Sequence, residues 1–221
     1  MIIVIDGPAG SGKSSTAKAI SDRLNIKFLD SGALYRAVTY FWLQQGKPDN
    51  KEFFNMLPDI NLEADLNEET FTVCLDGTDI SEEIRSPEVS INVSKVASLP
   101  EVRKRVNLLM RDLVKKGKFI ADGRDLGTAV FPDADLKFYM EASIGERAKR
   151  RFAEIRSKRD DVTLEDVIEN LKSRDYTDQN RFADPLKKAD DAIVIDTTGK
   201  TFKEQVDCMS TIIKEKLNIK Y

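Results

Sequence analysis

The chain contains no histidine, two cysteines and one tryptophan. Without histidine there is no imidazole acid–base chemistry and no His-ligated zinc site. Cys74 and Cys208 lie far apart, so neither a metal-binding pair nor a disulfide framework is expected. A basic excess is also missing: 35 Lys and Arg stand against 38 Asp and Glu, a formal charge of −3 that argues against duplex nucleic acid as a partner. No apolar run approaches a bilayer span, and Met1-Ile2-Ile3-Val4-Ile5 meets Asp6 too early for a signal peptide. A cytoplasmic chain without membrane or nucleic-acid partners is expected. Its 41% hydrophobic and 33% charged residues are a globular balance, and 221 residues suffice for one core domain carrying inserted pieces.

Five short runs rich in β-branched or aromatic residues read as buried parallel strands: Ile2–Ile5, Ile26–Leu29, Phe119–Ala121, Leu136–Met140 and Ala192–Ile195. Helical patterns separate them, which makes the core α/β. Ser86-Pro87 and Leu99-Pro100 place proline at a first helical position, and Gly117 after Lys115-Lys116 is a helix stop. Thr163-x-x-Asp166 and Thr201-x-x-Glu204 are capping-box starts. From about Asp59 to Ile80 the period changes to two, with Leu62, Ala64 and Leu66, then Phe71, Val73 and Leu75 alternating with polar residues. Asp76-Gly77 supplies a hairpin turn, so a small antiparallel sheet is expected as an insertion before the parallel core resumes at Phe119.

Gly7-Pro8-Ala9-Gly10-Ser11-Gly12-Lys13-Ser14 matches the phosphate-loop pattern without deviation, between a predicted strand and an amphipathic helix. Glycines let the backbone N–H groups turn inward onto phosphate oxygens, and the helix N-terminus adds its positive dipole end. Lys13 is then a point charge for the β and γ phosphates, and Ser14 a Mg²⁺ ligand. Gly7, Pro8, Ala9, Gly10, Ser11, Gly12, Lys13, Ser14 and Ser15 are therefore the expected ATP-binding residues. Asp122, closing the third core strand, either holds a metal-bound water or caps a helix or turn.

On the helix after Thr163, Leu164, Val167, Ile168 and Leu171 form a core-facing stripe, and the same steps continue to Arg174, Asp178 and Arg181. Charges that prolong a buried face suit a helix that packs at its start and lines a polar cleft at its end, where the row can clamp an anion. A frayed helix end with local ion pairs is the alternative. Arg36, within two turns of the second strand's C-terminal end, is either a ligand contact or a surface arginine. Arg147, Arg150 and Arg151, with Arg156 and Arg159 after them, are either a mobile cover over phosphates or a solvated basic helix.

Together with the phosphate loop, the blocks Asp30-Ser31-Gly32-Ala33-Leu34-Tyr35-Arg36, Ala121-Asp122-Gly123-Arg124-Asp125-Leu126-Gly127-Thr128 and Arg174-Asp175-Tyr176-Thr177-Asp178-Gln179-Asn180-Arg181 resemble those of bacterial cytidylate kinases, nucleoside monophosphate kinases of the P-loop group. The resemblance implies a P-loop NTPase core with a five-stranded parallel sheet flanked by helices. It adds an inserted, β-containing monophosphate-binding domain and a short lid. The implied division is 1–33 and 98–221 for the core, with the lid at about 147–162. Residues 34–97 would form the monophosphate-binding region, including a β-rich insert at about 59–97. The implied reaction moves the ATP γ-phosphoryl group to CMP or dCMP with Mg²⁺, in a monomer. By similarity Ser94, Arg103 and Asp125 would address cytosine, Arg36, Arg124 and Arg181 would meet the CMP phosphate, and Ser31 would also bind CMP. Arg174 and Asp178 would meet the sugar and nearby oxygens. Lys13, Arg124, Arg174 and Arg181 would be the catalytic cations. Tyr176 and Gln179 depart from the charged residues usual in the last block. The competing readings are a P-loop kinase for another small acceptor and a switch that transfers phosphate only to water.

Overall fold

The computed structural model describes residues 1–66, 71–156 and 162–218. Its main sheet contains β1 (Ile2–Asp6), β2 (Lys27–Asp30), β6 (Phe119–Asp122), β7 (Leu136–Glu141) and β8 (Ile193–Asp196), in the order β2-β6-β1-β7-β8 with every pairing parallel. Four of the five strands run one residue past the apolar stretch, to end at Asp6, Asp122, Glu141 and Asp196, and β2 slides by one to end at Asp30. The hydrophobic pattern stops there, but the hydrogen-bond ladder pairs Ile5 with Asp122 and Asp30 with Asp122. Carboxylates thus gather at the C-terminal edge, where open α/β sheets bind ligands.

The period-2 alternation of β1 divides the interior. Ile3 and Ile5 pack with α1 (Lys13–Leu24) and α8 (Phe202–Leu217) through Ala17, Ile20, Val206, Met209 and Ile213. Val4 faces the opposite side, toward α2 (Ser31–Gln44). On that side lie α3 (Asn50–Met56), a small antiparallel sheet of β3 (Leu62–Leu66), β4 (Phe71–Leu75) and β5 (Thr78–Asp79), then α4 (Pro87–Ala97) and α5 (Pro100–Leu113). Asp76 and Gly77, at φ 51° and 77°, form the turn from β4 to β5, a geometry that Asp-Gly tolerates. The segment 67–70 between β3 and β4 lies outside the described residues.

The small sheet has no core of its own. Phe53, Leu57, Ile60, Leu62, Val73, Ile80, Ile84, Val93 and Val96 belong to the same buried cluster as Val4, Leu29, Ala121 and Leu126. A side of the main sheet is therefore completed by the insert.

The remaining helices are α6 (Ile144–Arg156) and α7 (Leu164–Asn180). Helix starts follow the sequence signals: Ser86 caps α4 with Pro87 next, and Thr163 and Thr201 close complete capping boxes on α7 and α8. Of the segment expected to form a lid, 157–161 lies outside the described residues. No helix among the described residues is long and apolar enough to cross a membrane.

Candidate active site

The donor half follows from backbone geometry. Gly7, Gly10 and Gly12 take φ of 149°, 75° and 92°, values that L side chains rarely adopt. At Gly7 a Cβ would also lie 2.0 Å from the carbonyl oxygen of Met140, so only glycine lets the chain turn past β7 there. Lys13, on the first turn of α1, folds back and donates from Nζ to the carbonyl of Pro8 at 2.6 Å and to Ser11 Oγ at 3.3 Å. Burial, and then the neighbouring Arg124, push its pKa well below the ordinary lysine value. Ser14 and Ser15 are exposed beside it.

Ser14 Oγ donates to Asp122 Oδ2 at 2.6 Å, while Asp122 Oδ1 is buried with no hydrogen-bond partner. Burial, reinforced by Asp30, pushes the Asp122 carboxyl up to about 6. A serine hydroxyl and an orphaned carboxylate oxygen at the mouth of a phosphate loop are the oxygen donors that suit Mg²⁺. Asp122 does not act as a helix cap.

The opposite side is made of side chains from α2, α4, α5, the 124–125 segment, α7 and the loop after it. Arg103 on α5 is 1% exposed; its Nε donates to Asp184 at 2.9 Å, its Nη1 to the carbonyl of Ala97 at 3.2 Å, and its Nη2 pairs with Asp125. Tyr35 lies under the guanidinium at 5.2 Å and donates to Asn107. Arg181 donates from Nη2 to the other oxygen of Asp125 at 2.7 Å and, from Nε and Nη2, to the carbonyl of Asp184. Arg124 donates from Nε to Asp178 at 2.8 Å. Ser31 Oγ donates to the carbonyl of Asp122 at 2.6 Å, and Arg36 pairs with Asp30 at 3.2 Å. Ser94 is half-buried on α4.

Two guanidinium nitrogens break this pattern of mutual satisfaction. The Nε atoms of Arg174 and Arg36 are buried without a hydrogen-bond partner. Burial, followed by repulsion from Arg124, lowers the Arg174 pKa to about 10; Arg151 and Arg36 also repel it. Asp178 offsets only part of this, so the desolvated cation is unfavourable in the empty protein, and an anion beside it relieves it.

The structure corrects one geometric expectation. Arg181 does not continue the α7 row: the helix ends at Asn180, and Arg181 is extended at φ −64° and ψ 145°. Its side chain reaches the cluster because the backbone leaves the helix there. Tyr176, 70% exposed, and Gln179 point away from it. Arg147 and Arg150 are not a solvated face. Arg147 donates to the carbonyl of Ala9 at 2.8 Å, and Arg150 donates to Thr197 and to the carbonyl of Ser11. Arg156 stacks over Phe152, and Arg159 lies outside the described residues.

The family model described as Cytidylate kinase matches residues 3–215. The chain belongs to the cytidylate kinase family. A cytidylate kinase from Clostridioides difficile (strain 630) is 46% identical over 207 residues, covering 94% of this chain and 95% of that one. A cytidylate kinase from Carboxydothermus hydrogenoformans is 41% identical over 221 residues, covering 99% and 100%. The fold resembles the crystal structure of an uncharacterized protein from Eubacterium ventriosum ATCC 27560, with a TM-score of 0.54 and 14% identity over 97% of this chain and 98% of that chain. Within the cytidylate kinase frame, several polar residues of the cleft have no sequence signal. Asp6 accepts from the N–H groups of Leu126 and Gly127 at 2.9 and 2.7 Å and so fixes the segment bearing Arg124 and Asp125. Asp175 sits one position off the α7 row, and Asp184 lies in a loop at φ 46°.

Proposed function

We propose that this chain phosphorylates CMP and dCMP from ATP in the cleft between the phosphate loop and the Arg174 cluster. The observation that carries this reading is the pair of buried, unpartnered Nε atoms on Arg174 and Arg36, a second anion site beside the first. A nucleotide-hydrolysing switch has no use for it. On this reading the loop N–H groups and Lys13 hold the triphosphate, and Arg36, Arg124 and Arg174 hold the acceptor phosphate with Ser31 alongside. Asp125, cross-braced by Arg103 and Arg181, addresses the base together with Ser94, while Asp178 turns toward the sugar.

Ser14 and Asp122 would hold Mg²⁺, which when bound neutralises charge on the phosphate oxygens. The protein's own part is positioning and electrostatics. The acceptor phosphate oxygen is already a nucleophile, so the absence of histidine costs nothing. Lys13 leaves the carbonyl of Pro8 for the transferring phosphoryl group, and the arginines offset repulsion between the two nucleotides. Residues 1–33 and 98–221 act as the core, and 34–97 as the acceptor-binding region.

A coupled ADP-release assay across CMP, dCMP, UMP, AMP and GMP tests the assignment. CMP and dCMP should give the highest kcat/KM. ATP turnover independent of any monophosphate, or a preference for a purine acceptor, would overturn it.

A further inference from the structure

Ala9 lies at the middle of the phosphate loop, yet both polar groups of its backbone are taken by side chains from outside the loop. Its N–H donates to Asp175 Oδ1 at 3.1 Å, and its carbonyl accepts from Arg147 Nη1 at 2.8 Å. The same Nη1 lies 2.6 Å from Asp175 Oδ2, which closes a ring of three contacts between the loop, α6 and α7. Arg147 is steadied in turn by its Nε bond to the carbonyl of Ala142 at 3.1 Å. Both charged side chains are largely buried, 8% and 13% exposed. The methyl group of Ala9 packs with Ala148, Val167 and Leu171.

A loop with three positive-φ glycines has little preference of its own for the concave shape that gathers N–H groups on a phosphate. If binding had to impose that shape, its ordering cost would weaken ATP affinity; a brace in place beforehand removes the cost. We propose that Asp175, working with Arg147, is a positioning residue for ATP. It fixes the Ala9 peptide so that the following N–H groups converge on the triphosphate. Because α7 also carries Arg174 and Asp178, the brace sets the spacing between donor and acceptor sites. Ala9 then serves the ATP site by its position, its N–H being held by Asp175. This inference rests on the donor-site reading above.

The test uses the full chain with Asp175→Ala, Asp175→Asn and Asp175→Glu, measuring KM for ATP and CMP, thermal melts, and calorimetric binding of a non-hydrolysable ATP analogue. Asp175→Ala should raise KM for ATP about tenfold, the scale of one charged hydrogen bond, with KM for CMP within about threefold. Asp175→Asn keeps an acceptor for the Ala9 N–H and should hold KM for ATP within about threefold, although it lowers the melt as much as alanine by leaving Arg147 without a counterion. Asp175→Glu retains that ion pair, so its melt is preserved. Its extra methylene displaces the carboxylate from Ala9 and should raise KM for ATP about fivefold. Equal KM for ATP in the Ala and Asn variants, or an unchanged value in the Glu variant, would make the contact a structural ion pair and overturn the proposal. A wild-type chain that binds the analogue but does not phosphorylate CMP would instead refute the assigned reaction, and the binding series would still decide the role of Asp175.

Discussion

The two halves of the cleft are built on different principles. On the donor side, eight consecutive residues create the anion site through backbone shape, and Lys13 rests on the carbonyl of Pro8. On the proposed acceptor side the anion site is what remains after charges from α2, α5, the 123–126 segment, α7 and the 181–184 loop have paired with their neighbours. Arg103 and Arg181 share Asp125, and Arg124 takes Asp178. Arg174 has no ion pair among the described residues, and its Nε has no partner. A phosphate loop can therefore be recognised in one line of sequence. The proposed acceptor site takes shape only once the chain has folded.

Removing the donor cation should produce the largest loss. Lys13→Ala is expected to cut kcat at least about 100-fold, the scale of losing roughly 3 kcal/mol of transition-state stabilisation. Its melt should hold or rise, because burial and Arg124 already disfavour the charged lysine. Activity within about tenfold of wild type would remove Lys13 from the mechanism.

On the acceptor side, Arg174→Met should lower kcat/KM for CMP about 100-fold while thermal stability holds or rises slightly. Methionine keeps much of the apolar stem, and the substitution relieves the repulsion from Arg124, Arg151 and Arg36. A sharp drop in the melt with activity preserved would make Arg174 structural.

A smaller effect is expected one layer behind. Asp184→Asn tolerates the left-handed backbone and can still accept from Arg103, but it removes one of the two carboxylates that neutralise that arginine. KM for CMP should rise about fivefold with KM for ATP unchanged, since the cross-brace on Asp125 loosens. Equal shifts in both constants would mean that the 181–184 loop supports the whole cleft.

The last effect is one of stability rather than of binding. Asp122, buried and pushed up to about 6, is ionised in the unfolded chain above about 4 but in the empty folded protein only above about 6. The folded state therefore binds more protons across that window, and this group lowers stability as pH rises through it. Asp122→Asn should stabilise the ligand-free protein by about 2–3 kcal/mol at pH 7 and by well under about 1 kcal/mol below pH 4. Denaturant melts at the two pH values check the sign, and a destabilised variant at pH 7 would contradict it.

The sequence made the strands, the hairpin and the helix caps legible because each depends on neighbours a few residues apart. Val4 alternating with Ile3 and Ile5, or Thr163 with Asp166, carries its signal locally. Strand ends were less legible, since Asp6 and Asp122 join the ladder through backbone bonds that hydropathy does not register. Period alone could locate Arg174 and Asp178 on the inner face of α7, yet it carried the row one residue beyond the helix to Arg181. Asp175, though inside the Arg174–Arg181 block, and Asp184 gave no sign of what they hold. Their partners, Ala9 and Arg103, are remote in the chain, and an acidic residue on a helix or in a loop reads as solvated until the fold closes. The insert was legible as a sheet, but not as the completion of the main core through Val73, Ile80 and Ile84.

The division between a backbone-built donor site and a charge-built acceptor site is tested most directly by calorimetric titration of CMP into Lys13→Ala protein. Arg36, Arg124 and Arg174 remain in that variant, and Arg124 loses a repelling neighbour. CMP should bind with a Kd within about threefold of wild type, or tighter, although phosphoryl transfer is lost. A folded variant that no longer binds CMP would show that the two nucleotides share one charge assembly, contradicting the division.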